Sequence, residues 1–144
     1  STAVAKCSYT AQQLANVNLM TPSGSSGVQG ILDSGANWSI CGERSRFRRL
    51  FDTSLPLYVA DGLSSSRAIV GVFKDNALRL QKGLYHKSVK GLIVSVSNLQ
   101  SSLFKVVFNP FSQSGQNFEE SSILDVNSGK SHCVKYINNL PRVK

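Results

Sequence analysis

The tripeptide Asp33-Ser34-Gly35 constrains this chain more than any other feature. It is preceded by the apolar pair Ile31-Leu32 and followed by Ala36, with Trp38 and Ile40 beyond. An apolar approach and an apolar exit predict a buried turn, with a carboxylate at the end of a strand running from Val28 to Leu32. Asp-Ser-Gly is also an ordinary turn sequence, because Asp bonds backbone two residues on and Gly relieves the turn. A structural turn and a chemical site are both open on these residues alone.

Length and composition set the frame for that turn. A chain of 144 residues with 41% hydrophobic content is enough for one domain with a core and too short for two ordinary ones. No apolar run approaches the roughly 20 residues that span a bilayer, and no charged-then-apolar leader opens the chain. A soluble domain without membrane contact is expected, and a start at Ser1 fits a piece cut from a longer chain. Cys7, Cys41 and Cys133 form an odd set without paired spacing, which predicts buried reduced thiols in a cytosolic setting rather than disulfides or a zinc site. His132 and Cys133 are neighbours, and on a strand they point to opposite faces. No metal and no cofactor are expected.

Sixteen Lys and Arg against eight Asp and Glu give a net charge of +8, which favours polyanions and acidic surfaces. Arg44, Arg46, Arg48 and Arg49, with Phe47 between them, are the densest basic piece. They are candidates for weak nucleic-acid contact, although a solvated basic face explains them as well.

Ser, Gly and Asn are spread throughout and helical periodicity is scarce, so the chain reads as all-β. Residues 1–13 lack pattern and are expected to form a mobile arm. Ala15, Val17 and Leu19 alternate with Asn16 and Asn18, predicting a strand to Met20; residues 21–27 are a turn by composition, and Val28 to Leu32 returns. The segment from Gly42 to Phe51 is expected to make a short helical turn. Leu57 to Ala60, the Asp61-Gly62 turn signal and Ala68 to Phe73 read as one hairpin with a Ser-rich tip. Further strands are expected at Ala77–Leu80, Ser88–Val96, Phe104–Phe108, Ser122–Val126 and Ser131–Ile137. One short helix is expected around Asn98 to Leu103, and Asn109 to Glu120 is expected to be a polar loop.

Three motifs in order carry a resemblance: Ile31 to Ala36, then Val59-Ala60-Asp61-Gly62 leading to Ile69-Val70-Gly71-Val72-Phe73, then Ile93 to Leu99. Together they resemble the retroviral-type aspartic proteases, and within them the copia-like long-terminal-repeat retrotransposons. The likeness covers roughly residues 14 to 140. It departs from the family where Ser95 or Ser97 stands in place of a Gly before the helix.

The resemblance implies a retropepsin-like acid protease fold, a closed or partly open β-barrel with a flap hairpin and one short helix, working as a homodimer. It implies a core over residues 14–104, with residues 105–144 as a β extension packed on the same domain. It implies an aspartic endopeptidase that cleaves its own Gag-Pol-type polyprotein, in the cytoplasm within virus-like particles. Asp33 from each protomer would activate a water across a two-fold axis, the two carboxylates sharing one proton. Ser34 and Gly35 would stiffen the paired turns. Ala36, Asn37, Tyr58, Val59, Ala60, Asp61, Gly62 and Ile69 would bind substrate, Asn37 by bonding its backbone, while the hairpin Tyr58 to Phe73 closes over it. Leu57, Val59, Ile69 and Val70 are candidate subsite walls and equally plain core.

The other acids read as structural: Glu43 as an ion-pair partner for the arginines, Asp61 and Asp125 as turn residues, Glu119-Glu120 as solvated loop. Two alternatives stay beside the enzyme. One is a catalytically weak or inactive module of the same fold that holds peptides or dimerises; the other is a basic nucleic-acid-binding β domain.

Overall fold

Ile31-Leu32 and Ile93-Val94 are consecutive apolar pairs, and a strand that buries two adjacent side chains needs cover on both faces. The fold supplies it. The computed structural model describes residues 4–17, 30–108, 121–137 and 140–143. Within them the strands are β1 (Ala5–Lys6), β2 (Gly30–Asp33), β3 (Ile40–Cys41), β4 (Phe47–Leu55), β5 (Leu57–Val59), β6 (Gly62–Leu63), β7 (Ala68–Phe73), β8 (Lys82–Tyr85), β9 (Leu92–Ser95), β10 (Phe104–Val107), β11 (Ser122–Asp125), β12 (Ser131–Ile137) and β13 (Leu140–Val143). Two short helices join them, α1 (Ala11–Ala15) and α2 (Val96–Ser101).

One sheet runs β10-β11-β12-β13-β2-β9-β3-β8-β7-β4, and a small sheet runs β1-β5-β6. At the centre of the large sheet β2 pairs in parallel with β9, placing Asp33 opposite Ser95, and β13 pairs antiparallel on the other edge of β2. Ile31, Ile40 and Ile93 enter one apolar cluster with Leu57, Ala68, Val70 and Leu84. Leu32, Cys41 and Val94, one residue on in each strand, enter the opposite cluster with Phe47, Phe73, Leu99 and Phe104. Each such Leu or Ile, fully buried, contributes about 1.5–3 kcal/mol, so this pleat holds the Asp33 strand from both sides.

The mostly β reading holds, and several details change. Of the closed or partly open barrel expected, no closed barrel forms among the described residues, where the large sheet ends at β10 and β4, and the short α-helices number two rather than one. Residues 4–9 pack on the core and 11–13 begin a helix, instead of forming an arm: Ala5, Cys7 and Tyr9 alternate inward, and β1 pairs in parallel with β5. Helix α1 ends at Ala15, where a strand is expected to begin, its start fixed by the Thr10 side chain accepting from the Gln13 N–H while Gln13 bonds back to the Thr10 N–H, and Asn16 and Val17 follow as a turn. The rest of that expected strand, the turn at 21–27, the start of its partner at Val28 and the loop at 109–120 lie outside the described residues.

The basic segment forms only one 3-10 turn, Arg44–Arg46, before Phe47 opens β4, since Phe47 must reach Phe73 and stacks on it at 4.5 Å. The long hairpin is accordingly β4 with β7, not Leu57–Ala60 with Ala68–Phe73; β5 and β6 make a smaller hairpin of their own at its tip. Ala77 to Leu80 is not a strand. Asn76 satisfies its backbone instead, accepting from the Leu78 and Leu80 N–H groups, and Arg79 turns through φ 52°. Strands β8 and β13 have no counterpart in the sequence reading, and the strand expected from Ser88 begins at Leu92. Cys7 and Cys41 are buried, but Cys133 is only half-buried.

Candidate active site around Asp33

Asp33 ends β2 with a side chain only 3% exposed, so its carboxylate must find donors inside the protein. It finds two. Oδ1 accepts from the Gly35 N–H at 2.8 Å, the Asx turn that the tripeptide predicts, and Oδ2 accepts from the Ser8 N–H at 2.8 Å. Ser34 and Gly35 are exposed at the lip of the turn, while Ala36 is buried behind it.

A polar network braces the turn from below. Ser95 Oγ donates to the Ala36 carbonyl at 2.7 Å and accepts from the Asn98 N–H, capping α2. Ser39 donates through its N–H and its hydroxyl to Asn98 Oδ1, and Ser39 Oγ in turn accepts from the Ser95 N–H at 3.0 Å. Ser95, wholly buried, thus ties β9, α2 and the Asp33 turn together.

Above the turn lies the chain's own segment 4–10, running between Asp33 and the β5–β6 hairpin as strand at Ala5–Lys6 and bending at Ser8–Tyr9. On one edge the Ala5 N–H donates to Pro56 O, the Cys7 N–H to Tyr58 O, and Tyr9 O accepts from the Ala60 N–H, at 2.9, 3.0 and 2.9 Å. On the other edge Asn37 Oδ1 accepts from the Lys6 N–H and its Nδ2 donates to Val4 O, at 2.8 and 2.9 Å. Tyr9 Oη donates to Leu32 O in the strand that carries Asp33, and Asp61 Oδ1 accepts from the Ala11 N–H. Burial, reinforced by the Asp33 charge, pushes the Cys7 thiol up despite its bond toward Tyr9 O. A thiol so held is a small apolar filler rather than a nucleophile.

The hairpin is itself anchored. His86 Nδ1 accepts from the Ser88 N–H, so its Nε2 carries the proton and donates toward Ser66 O, with Ser64 Oγ also 3.1 Å away. Burial pulls the His86 pKa down, only partly offset by the bond to Ser66. Arg142, buried in β13 opposite Ile31, donates through both terminal nitrogens to Val17 O and fastens the end of the α1 region beside β2.

Of the predicted substrate-binding residues, Asn37, Tyr58 and Ala60 bond the segment 4–10, and Asp61 accepts from the Ala11 N–H at the start of α1. Val59 packs half-buried on the first apolar cluster, Gly62 turns the hairpin through φ 131°, and Ala36 faces the core. Ile69 sits in β7 opposite Ser54 and Tyr85. Leu57 and Val70 are core. Sequence reasoning missed Ser8, Tyr9, Ser39, His86 and Ser95; alternation in Ala5-Lys6-Cys7-Ser8-Tyr9 was the available signal for the first two.

The arginine cluster is partly consumed locally. Arg46 pairs with Glu43 at 2.9 Å and Arg48 with Asp75 at 3.1 Å, while Arg49 lies over the Phe51 ring. A cleft of about 550 Å³ lined by Arg48, Asp75, Arg79 and Lys82 lies on β7 and β8, away from Asp33. Residues rather than space define the Asp33 site, because the segment fills it. Among the described residues no group of three or more His, Cys, Asp or Glu could hold a metal ion, and no helix is long and apolar enough to cross a membrane. Comparison with protein-family models, curated proteins and solved structures returns no match.

Proposed function

We propose that the chain is one half of an aspartic endopeptidase. Asp33 would meet the Asp33 of a second copy across a two-fold axis, since peptide hydrolysis by this route needs two carboxylates about one water. The ionised member takes a proton from water as it attacks the scissile carbonyl. Its protonated partner polarises that carbonyl and then helps protonate the leaving nitrogen. The natural substrate would be the polyprotein that contains this domain, processed in the cytoplasm within virus-like particles.

One observation carries the reading: the buried Asp33 carboxylate bonds the backbone of an extended segment whose other edge is paired to a hairpin. A groove of that kind binds peptides by strand addition and brings one amide to a carboxylate. The test is hydrolysis of a peptide spanning a junction of the parent polyprotein, together with sedimentation over a concentration series. Cleavage that tracks dimer formation and vanishes in Asp33→Asn supports the proposal; cleavage that persists in Asp33→Asn, or a strictly monomeric active protein, overturns it.

A second reading is a peptide-holding module without hydrolysis. The occupied groove favours it, because the segment already supplies the partner that Asp33 Oδ2 needs. Salt-bridged Arg46 and Arg48 give the nucleic-acid reading less support.

A further inference from the structure

We infer that residues Val4–Thr10 are an exchangeable peptide ligand tethered in the Asp33 groove, so that the single chain blocks its own site. This rests on the reading of that groove as a peptide channel. It also specifies which peptides the groove takes: extended ones with small side chains at two alternate positions and an aromatic at the third.

The bonding pattern is that of a docked peptide. In an extended chain successive N–H groups point to opposite edges. Here the N–H groups of Ala5 and Cys7 go to the hairpin, at Pro56 O and Tyr58 O, while those of Lys6 and Ser8 go to the turn, at Asn37 Oδ1 and Asp33 Oδ2. Side chains alternate in the same register. Ala5, Cys7 and Tyr9 are buried, whereas Lys6 and Ser8 face out.

Occupancy by the segment and by another peptide is mutually exclusive. The Ser8 N–H holds Asp33 Oδ2, and Ser8 fills the space over Gly35, where any added Cβ would strike Ser8 Oγ, so a second backbone cannot lie there at the same time. The Asn37 side chain spans Val4 O and Lys6 N, a two-point grip on backbone that is independent of the ligand's sequence. The inward positions are not independent: Ala5 is wholly buried, and Tyr9 reaches the Leu32 carbonyl at 2.8 Å. A competing peptide must therefore match the small, small, aromatic spacing and overcome a tether whose effective concentration is on the order of millimolar.

Trypsin cleavage at Lys6–Cys7 tests this on the full chain, because a protease needs that backbone extended and unpaired. The probe is a synthetic peptide of residues 4–10 carrying Lys6→Ala, added at about millimolar concentration. We expect the Lys6–Cys7 bond in the chain to be cut at least about tenfold more slowly than in a free peptide of residues 4–10. We expect the probe to accelerate that cut several-fold, and the same probe with Tyr9→Ser to do so far less. Asn37→Ala in the chain should raise the rate without any probe. Cutting at the free-peptide rate overturns the inference, as does a slow rate that the probe leaves unchanged. Trypsin makes the cut, so the outcome is independent of whether Asp33 hydrolyses anything, and peptide hydrolysis by the chain reports on the protease reading separately.

Discussion

The Ser8 N–H donates to Asp33 Oδ2 at 2.8 Å across 25 residues of sequence, while Gly35 supplies the second donor to the same carboxylate from two residues away. Asp33 is therefore both the end of a core strand and the anchor of an extended segment. Substitution there should separate the two roles. Asp33→Asn keeps one carbonyl acceptor and should abolish peptide hydrolysis while leaving the fold intact. Asp33→Ala leaves two N–H groups without their acceptor and should cost roughly 1–3 kcal/mol in chemical denaturation. Equal stability of the two variants would contradict the role of the bonds.

Gly35 and Ser8 should be energetically coupled. A methyl group at Gly35 would collide with Ser8 Oγ, so Gly35→Ala should destabilise the chain by about 1–3 kcal/mol. Ser8→Gly removes the colliding atom and should recover part of that loss. A double-mutant cycle measures it, with a coupling of at least about 0.5 kcal/mol expected. Strict additivity would mean that the segment does not lie over the turn.

The Ser95 hydroxyl both caps α2 and donates to Ala36 O. Ser95→Ala should cost about 1–2 kcal/mol by loss of the cap and of one buried bond. Thermal unfolding reads this directly. A neutral Ser95→Ala would remove Ser95 as the brace of the Asp33 turn.

His86 gives the hairpin a pH dependence with a definite sign. Its folded pKa lies below the unfolded value of about 6.5, so the unfolded chain takes up the proton first. The stability it contributes is complete above about pH 6.5 and declines as pH falls from there toward the folded pKa. Protonation at Nδ1 also removes the acceptor for the Ser88 N–H. Denaturation midpoints measured from pH 7.5 to 5 should fall on the acid side, and His86→Gln should flatten that slope; an equal slope in the variant would rule His86 out as its source.

Local chemistry was legible in the sequence wherever neighbouring residues settle it. Asp33 with Gly35 and the Asp61-Gly62 turn of the small hairpin each depend on side chains within a few positions, through turn geometry, and the strand Ser131–Ile137 lies where its local composition placed it. The Glu43–Arg46 pair, three residues apart, belongs with them. Tertiary structure alone decided what each piece faces. Phe47 joins β4 because it stacks on Phe73, which is 26 positions away, and the same pairing leaves β5 and β6 as a separate tip. Segment 4–10 has an alternating pattern but no local mark of its partners, Asp33, Asn37 and Tyr58, which lie 25 to 51 residues further on. Short-range preferences choose among conformations of a few residues; which edges meet is decided by the joint burial of side chains and the satisfaction of backbone groups across the whole core.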